Sequence, residues 1–315
     1  MRAFAPQFLR SHGDHVPPHS RNNRRARRHG PSLRWVGLLA ATVAVLLLAV
    51  APPAFAGKLD RVRAAAKGSH TKSSSRSSSD SSYGNGGSAE DVVLALYIVA
   101  SPWWLPHAAL GDQWGRPFAY LSHPYADGHS GYVLQAGRDA PGHDASGRAV
   151  LGAGTSVRAS VEGGLIDPTM TRFGLAGRIS GSSRFEVETR WDLFSEALPG
   201  GAIDQLWLGD VTVTWQHAVG RHGQFRSGLG VRALVDRGET TYGINFTYGM
   251  DLYPVRPLVL HAAVDLGTVG QAVVTQVQAS FGLMLGPLEL YAGYDQTWID
   301  DIDLGGPTVG LRMWR

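Results

Sequence analysis

RFEVETRWDL, residues 184–193, alternates without a break. Its odd positions are Phe185, Val187, Thr189, Trp191 and Leu193, and its even positions are Arg184, Glu186, Glu188, Arg190 and Asp192. A period of two marks a β-strand whose faces meet unlike surroundings. Residues 151–162 repeat the pattern: Leu151, Ala153, Val157 and Val161 share one face, opposite Gly152, Gly154, Ser156, Arg158, Ser160 and Glu162. The same alternation continues through 170–180, 205–217, 224–235, 240–252, 257–266, 271–285, 287–298 and 304–314, which predicts ten strands. Turn signals separate them, among them Pro199-Gly200-Gly201, Asp236-Arg237-Gly238 and Gly305-Gly306-Pro307. Two further stretches, 131–137 (GYVLQAG) and 117–121, would raise the count to twelve; ten is the preferred number.

In a soluble sandwich the apolar face points inward. Two features favour the opposite arrangement. The polar face carries many glycines, including Gly174, Gly228, Gly230, Gly243, Gly249, Gly282 and Gly310. Glycine weakens an exposed strand but makes room in a narrow barrel interior. The cations of that face are arginines and never lysines, as suits paired charges in a confined space. The apolar face carries Trp191, Trp207, Trp215, Tyr242, Tyr248, Tyr294 and Trp298, placed by the sequence toward strand ends in the manner of interfacial girdles.

On these residues, 147–315 resembles a bacterial outer-membrane β-barrel of the porin-like or small-barrel class. The strand TVGLRMWR (308–315), with Val309, Leu311 and Met313 alternating before Trp314, is similar to the assembly signal of that class. The resemblance implies an antiparallel transmembrane barrel, with the outer-membrane bilayer and the barrel-assembly machinery as partners.

The inward positions define the candidate site. Arg158, Arg172, Arg178, Arg184, Arg190, Arg226, Arg232 and Arg312 face Glu162, Glu186, Glu188, Asp192, Asp210, Asp251, Asp265, Glu289 and Asp295. Buried charges that lack partners are costly, so the preferred expectation is an interlocked network filling a narrow lumen, with a structural or interaction role. A charge-lined pore for small solutes is the first alternative. A barrel hydrolase is the second, but His217, His222, His261, Ser227, Asp210 and Asp265 form no nucleophile–base–orienter set by spacing, so no enzyme is expected. The acidic turn Asp300, Asp301 and Asp303 is a weak calcium candidate that fits no EF-hand spacing, and no metal or other cofactor is expected.

The 315-residue chain has a pI near 9.3, yet its charge is divided. Ahead of Asp91 stand 14 Lys+Arg against 4 Asp+Glu; from Asp91 onward 15 arginines face 22 acids. The larger part is acidic, which argues against a nucleic-acid partner. With no cysteine, disulfides, thiolate metal sites and cysteine catalysis are excluded. The basicity belongs to an address: an arginine-rich stretch over 21–34, an uncharged apolar run from Trp35 to Val50, then Ala54-Phe55-Ala56 before Gly57. That order describes a signal peptide over 1–56, cleaved after Ala56, on the general secretory route. Residues 57–90 read as a Ser/Gly-rich tether and 91–146 as an irregular extension, a segment that could meet a periplasmic partner.

Overall fold

The computed structural model describes residues 57–68, 89–112, 114–137, 139 and 152–315, with only the backbone for 89–99. Residues 1–56, expected to be a signal peptide, residues 69–88 of the expected tether and residues 140–151 lie outside these.

The alternating segments become strands β3 (Thr155–Asp167), β4 (Met170–Gly181), β5 (Phe185–Ala197), β6 (Ile203–Gly220), β7 (Gly223–Asp236), β8 (Glu239–Leu252), β9 (Leu258–Val269), β10 (Ala272–Leu285), β11 (Leu288–Ile299) and β13 (Gly306–Trp314). Each pairs antiparallel with its neighbour in sequence, and β13 returns to β3 with Val309 opposite Gly163 and Trp314 opposite Arg158. The sheet therefore closes on itself as a ten-strand, up-and-down barrel without a free edge. Strand β12 (Ile302–Asp303) folds back on the end of β11 in the loop before β13.

Closure sorts the two faces as the inside-out reading expects. Val187, Val211, Val213, Leu229, Val231, Ile244, Val273, Leu311 and Met313 stand exposed on the outside. Glu186, Asp192, Arg226, Arg232, Asp251 and Asp295 are buried within. A soluble sandwich is ruled out, because there is one closed sheet and its apolar face looks outward. Trp207, Tyr242, Tyr294 and Trp298 lie toward one end of the barrel, and Trp215 and Tyr248 toward the other. Trp191 departs from the expected girdle: it sits in mid-strand opposite Gly209, whose missing side chain leaves the space that the indole ring occupies.

The extra stretches do not join the barrel. Residues 117–121 and 131–137 yield β1 (Phe118–Tyr120) and β2 (Val133–Gln135), which pair with each other as a short ribbon, tied by one isolated bridge from Tyr120 to Ala153 just ahead of β3.

Two helices revise the reading of the front end. Residues 57–90 were expected to be tether throughout, but Lys58–Ala66 forms helix α1. Leu59, Val62, Ala65 and Ala66 supply an apolar stripe at helical spacing, and all four are buried. The extension over 91–146, expected to be irregular, begins instead with helix α2 (Ala89–Leu110), which has Pro102 and Pro106 inside it. The carbonyl of Pro102 would normally accept from residue 106, which as proline has no N–H to give. The Tyr248 hydroxyl donates to that carbonyl instead, at 2.6 Å. Trp103 adds an indole N–H bond to Ser227 at 3.2 Å, holding α2 to the outer wall. No helix among the described residues is long and apolar enough to cross a membrane.

Candidate functional site: the charged lumen

The interior is divided into layers along the barrel axis. The mouth away from the end of β13, here the far mouth, is apolar. Met170, Phe194, Leu206, Leu208, Leu234, Val274 and Ile299 form one buried cluster there with Leu59 and Val62 of α1. Burying a side chain such as Leu59 or Val62 contributes about 1.5–3 kcal/mol. Polar ties surround this cluster. Arg63 reaches Asp204 at 2.5 Å, Asp236 at 2.7 Å and Asp60 at 2.7 Å, and Lys58 reaches Asp167 at 3.0 Å. The hydrogen-bonded Asp204 carboxylate, with Asp236 and Asp60, holds the Arg63 guanidinium above its ordinary range against the opposing effect of burial.

Below the apolar cluster lies the first charged layer. Arg172 binds Asp295 at 2.6 Å and Glu162 at 2.5 Å, and lies 3.6 Å from Asp192. Arg190 binds Glu162 at 2.7 Å, Asp295 at 2.8 Å and Asp192 at 3.1 Å, and also bonds Gln278. Tyr291 donates to Glu162 at 2.8 Å. Nearby, Arg232 stands 3.6 Å from Asp210, and Asp265 accepts from Thr247 at 2.6 Å.

The second layer centres on the fully buried Asp251. Its Oδ2 accepts from Arg178 at 2.6 Å and from Arg158 and Arg226 at 3.3 Å each, and His261 Nδ1 lies 2.5 Å from Oδ1. Glu188 binds Arg178 at 3.0 Å and also binds Arg226. Glu186 accepts from Ser180, Thr214 and Gln216. Glu289 takes Arg312 at 2.7 Å and the Trp314 indole N–H at 2.9 Å. The inward glycines leave room for this layer: a Cβ on Gly282 would lie 2.0 Å from Glu289, and one on Gly249 would lie 2.8 Å from the Arg226 guanidinium. Between the two layers remains a cavity of about 90 Å³, lined by Arg158, Glu162, Arg190, Asp210, Asp265 and Gln278 among others.

The β1–β2 ribbon packs at the C-terminal mouth. Tyr120, Tyr132, Tyr253 and Trp314 pack ring against ring, with centroids 5.0 Å apart for Tyr132 and Trp314. Burial pushes the Tyr132 hydroxyl up to about 12. Gln135 donates to the Val219 carbonyl at 2.6 Å, and Arg221 donates to the Ser130 carbonyl at 2.9 Å.

All but one of the sequence-nominated charges lie inside the barrel. Arg184 sits instead in the turn between β4 and β5, with φ of 71°, and binds Asp112 of the N-terminal segment at 2.6 Å. Asp300, Asp301 and Asp303 are engaged separately. Asp300 accepts from the Val273 N–H at 2.9 Å, Asp301 pairs with Arg61 at 2.8 Å, and Asp303 accepts from Gln296 at 2.6 Å and the Gly305 N–H at 2.8 Å. Among the described residues no metal-binding cluster gathers. The hydrolase candidates are scattered. Ser227 is on the outer wall under Trp103, and His217 is packed near Trp215 and Tyr248. His261 lies between Asp251 and Glu289, whose Oε1 is 3.3 Å from Nε2. The sequence reading missed the packing at both mouths. The signal was present at the far mouth, where positions of inward parity turn apolar at Phe194, Leu206, Leu208, Leu234 and Val274.

No family model and no curated protein matches the chain. Among solved structures it is similar to Ail, the attachment invasion locus protein of Yersinia pestis, at 12% identity, covering 51% of this chain and 99% of that one, with a TM-score of 0.28. It is also similar to the outer membrane channel DcaP of Acinetobacter baumannii, at 12% identity, 63% and 70% coverage and a TM-score of 0.26. The β domain of the Bordetella autotransporter BrkA matches at 10% identity, 51% and 98% coverage and a TM-score of 0.30. Likenesses this distant transfer no property to the present chain, whose barrel rests on its own strand pairings.

Proposed function

We propose that this protein is an outer-membrane β-barrel with a closed lumen, serving a structural or interaction role in the envelope. The observation that carries the membrane reading is the outward face. Every barrel strand presents exposed large apolar side chains there, from Val157 and Val161 on β3 to Leu311 and Met313 on β13. So wide an apolar surface is a liability in water and an asset in lipid. Export by the general secretory route and insertion by the barrel-assembly machinery belong to the same proposal. The closed-lumen reading is supported by the α1 seal, the ribbon seal and the paired charges between them. Catalysis has no part in it: His261 lies between the carboxylates of Asp251 and Glu289, and its one hydrogen bond among the described residues goes to Asp251 rather than to a nucleophile.

Cell fractionation and heat-modifiable migration in detergent test the membrane reading: recovery with the outer membrane is expected, and a protein soluble without detergent overturns it. Planar-bilayer recording tests the lumen. Silence is expected, and stepwise currents from the intact protein would establish the second reading, a narrow small-solute pore. That alternative is favoured by the 90 Å³ cavity, where the acids outnumber the arginines.

A further inference from the structure

Glu196 stands at the far mouth on β5 with 1% of its surface exposed. Its Oε1 accepts from the backbone nitrogens of Gly57 at 2.6 Å and Lys58 at 3.1 Å, and its Oε2 from that of Leu59 at 3.1 Å. Among the described residues no Lys, Arg or His side chain pairs with it, although its neighbours Asp167 and Asp204 each have a cation. A buried carboxylate held only by neutral amides lacks a counter-charge. The shortest of its three bonds goes to the residue that directly follows Ala54-Phe55-Ala56, the small-residue pattern that closes the export signal.

We propose that the Ala56–Gly57 bond is the processing site and that Glu196 captures the new amino terminus as a buried ion pair. The co-reactant is water, delivered by an endopeptidase selective for small residues. Hydrolysis breaks the Ala56–Gly57 amide, the acyl carbon takes the hydroxyl, and the carboxylate departs with the leader. The nitrogen stays on Gly57 and takes up protons to become an ammonium. One neutral N–H donor thereby becomes a cationic group with three donors, already at bonding distance from the carboxylate that lacks a cation. Charge-assisted bonds of this kind are about twice as strong as neutral ones. The ammonium then anchors α1, so that the seal at the far mouth reaches full strength only in the processed chain. The inference rests on the export reading for its cleavage step and is independent of whether the lumen conducts.

Intact mass and N-terminal peptide analysis of the folded protein, purified from the membrane fraction, locate the terminus, and Gly57 is expected; any other first residue overturns the proposal. Acylation by acetyl N-hydroxysuccinimide near neutral pH then reads the state of the amine, with exposed Lys67 as the internal reference. The Gly57 amine is expected to react about tenfold more slowly in the folded protein than in urea, since an ion pair that holds it protonated suppresses the reactive form. Equal rates in the two states overturn the capture. Glu196→Gln keeps the shape and removes the charge: restored reactivity in the folded variant supports the proposal, and undiminished protection sinks it. If this variant does not fold, the comparison of folded and unfolded wild type still decides. A protected Gly57 terminus on a protein that needs no detergent would refute the membrane reading alone.

Discussion

Arg190→Ala tests whether the lumen charges form a stabilising network. The guanidinium bridges Glu162, Asp295 and Asp192 at 2.7, 2.8 and 3.1 Å. Removing one partner of a buried ion pair costs about 3–5 kcal/mol, because the remaining charge is left uncompensated. Two features place this case at the low end. Arg172 still holds Glu162 at 2.5 Å and Asp295 at 2.6 Å, and the adjacent 90 Å³ cavity can supply water to the freed oxygens. A loss of about 3 kcal/mol is expected, a shift of more than a hundredfold in the unfolding equilibrium. Urea unfolding in detergent, followed by tryptophan fluorescence, measures it. Adding Asp192→Asn removes one stranded charge and should recover part of the loss, which a double-mutant cycle quantifies. A loss below about 1 kcal/mol, or no recovery in the double variant, would refute the network argument.

Four further outcomes are expected. Val213→Arg places a charge on the exposed outer face of β6 and should cost about 2–4 kcal/mol in a bilayer if that face meets lipid; urea titration of vesicle-inserted protein checks it, and a neutral effect contradicts the membrane reading. Val62→Asp puts a carboxylate into the apolar layer under α1 and should release the helix, read as rapid tryptic cleavage at Arg61 and Arg63, which the seated helix resists. Gly228→Ala brings a Cβ to 2.2 Å from the Val213 carbonyl, backbone that cannot swing aside, so a loss of about 1–3 kcal/mol is expected in thermal unfolding. Tyr248→Phe removes the donor to the Pro102 carbonyl and should weaken α2 docking by about 1 kcal/mol, visible as faster hydrogen exchange around His107 with barrel protection unchanged.

The barrel was legible because two unlike environments impose a strict alternation on each strand. Arg184 to Leu193 states it in ten residues, and repetition supplies the strand count. The ends were less legible, since strand termini answer to turns rather than to period. The sequence starts the first strand at Leu151, whereas β3 starts at Thr155; Ala153 is drawn into an isolated bridge with Tyr120 instead. The ribbon was seen as two strand-like stretches but not placed, because partners depend on what a closed barrel leaves over. Helix α1 was hidden by its shortness and by the Ser/Gly-rich residues after it. Of the charges, alternation located the inward set but could not say which carboxylate each arginine meets, and it put Arg184 in the lumen when the turn carries it to Asp112.

The floor beneath the β1–β2 ribbon is assembled from Val219, Tyr253, Val259, Met284 and Trp314, contributed by strands spread across the whole barrel and by one loop. The ribbon precedes all of these in the chain, yet its docking surface does not exist until β13 has met β3. Early translation is thus followed by late seating. A barrel stalled short of closure, or closed one strand out of register, offers Tyr120 and Tyr132 no matching recess. Retention of the ribbon therefore reports a closed barrel, and an unclosed one would leave Tyr120 and Tyr132 without the surface that buries them.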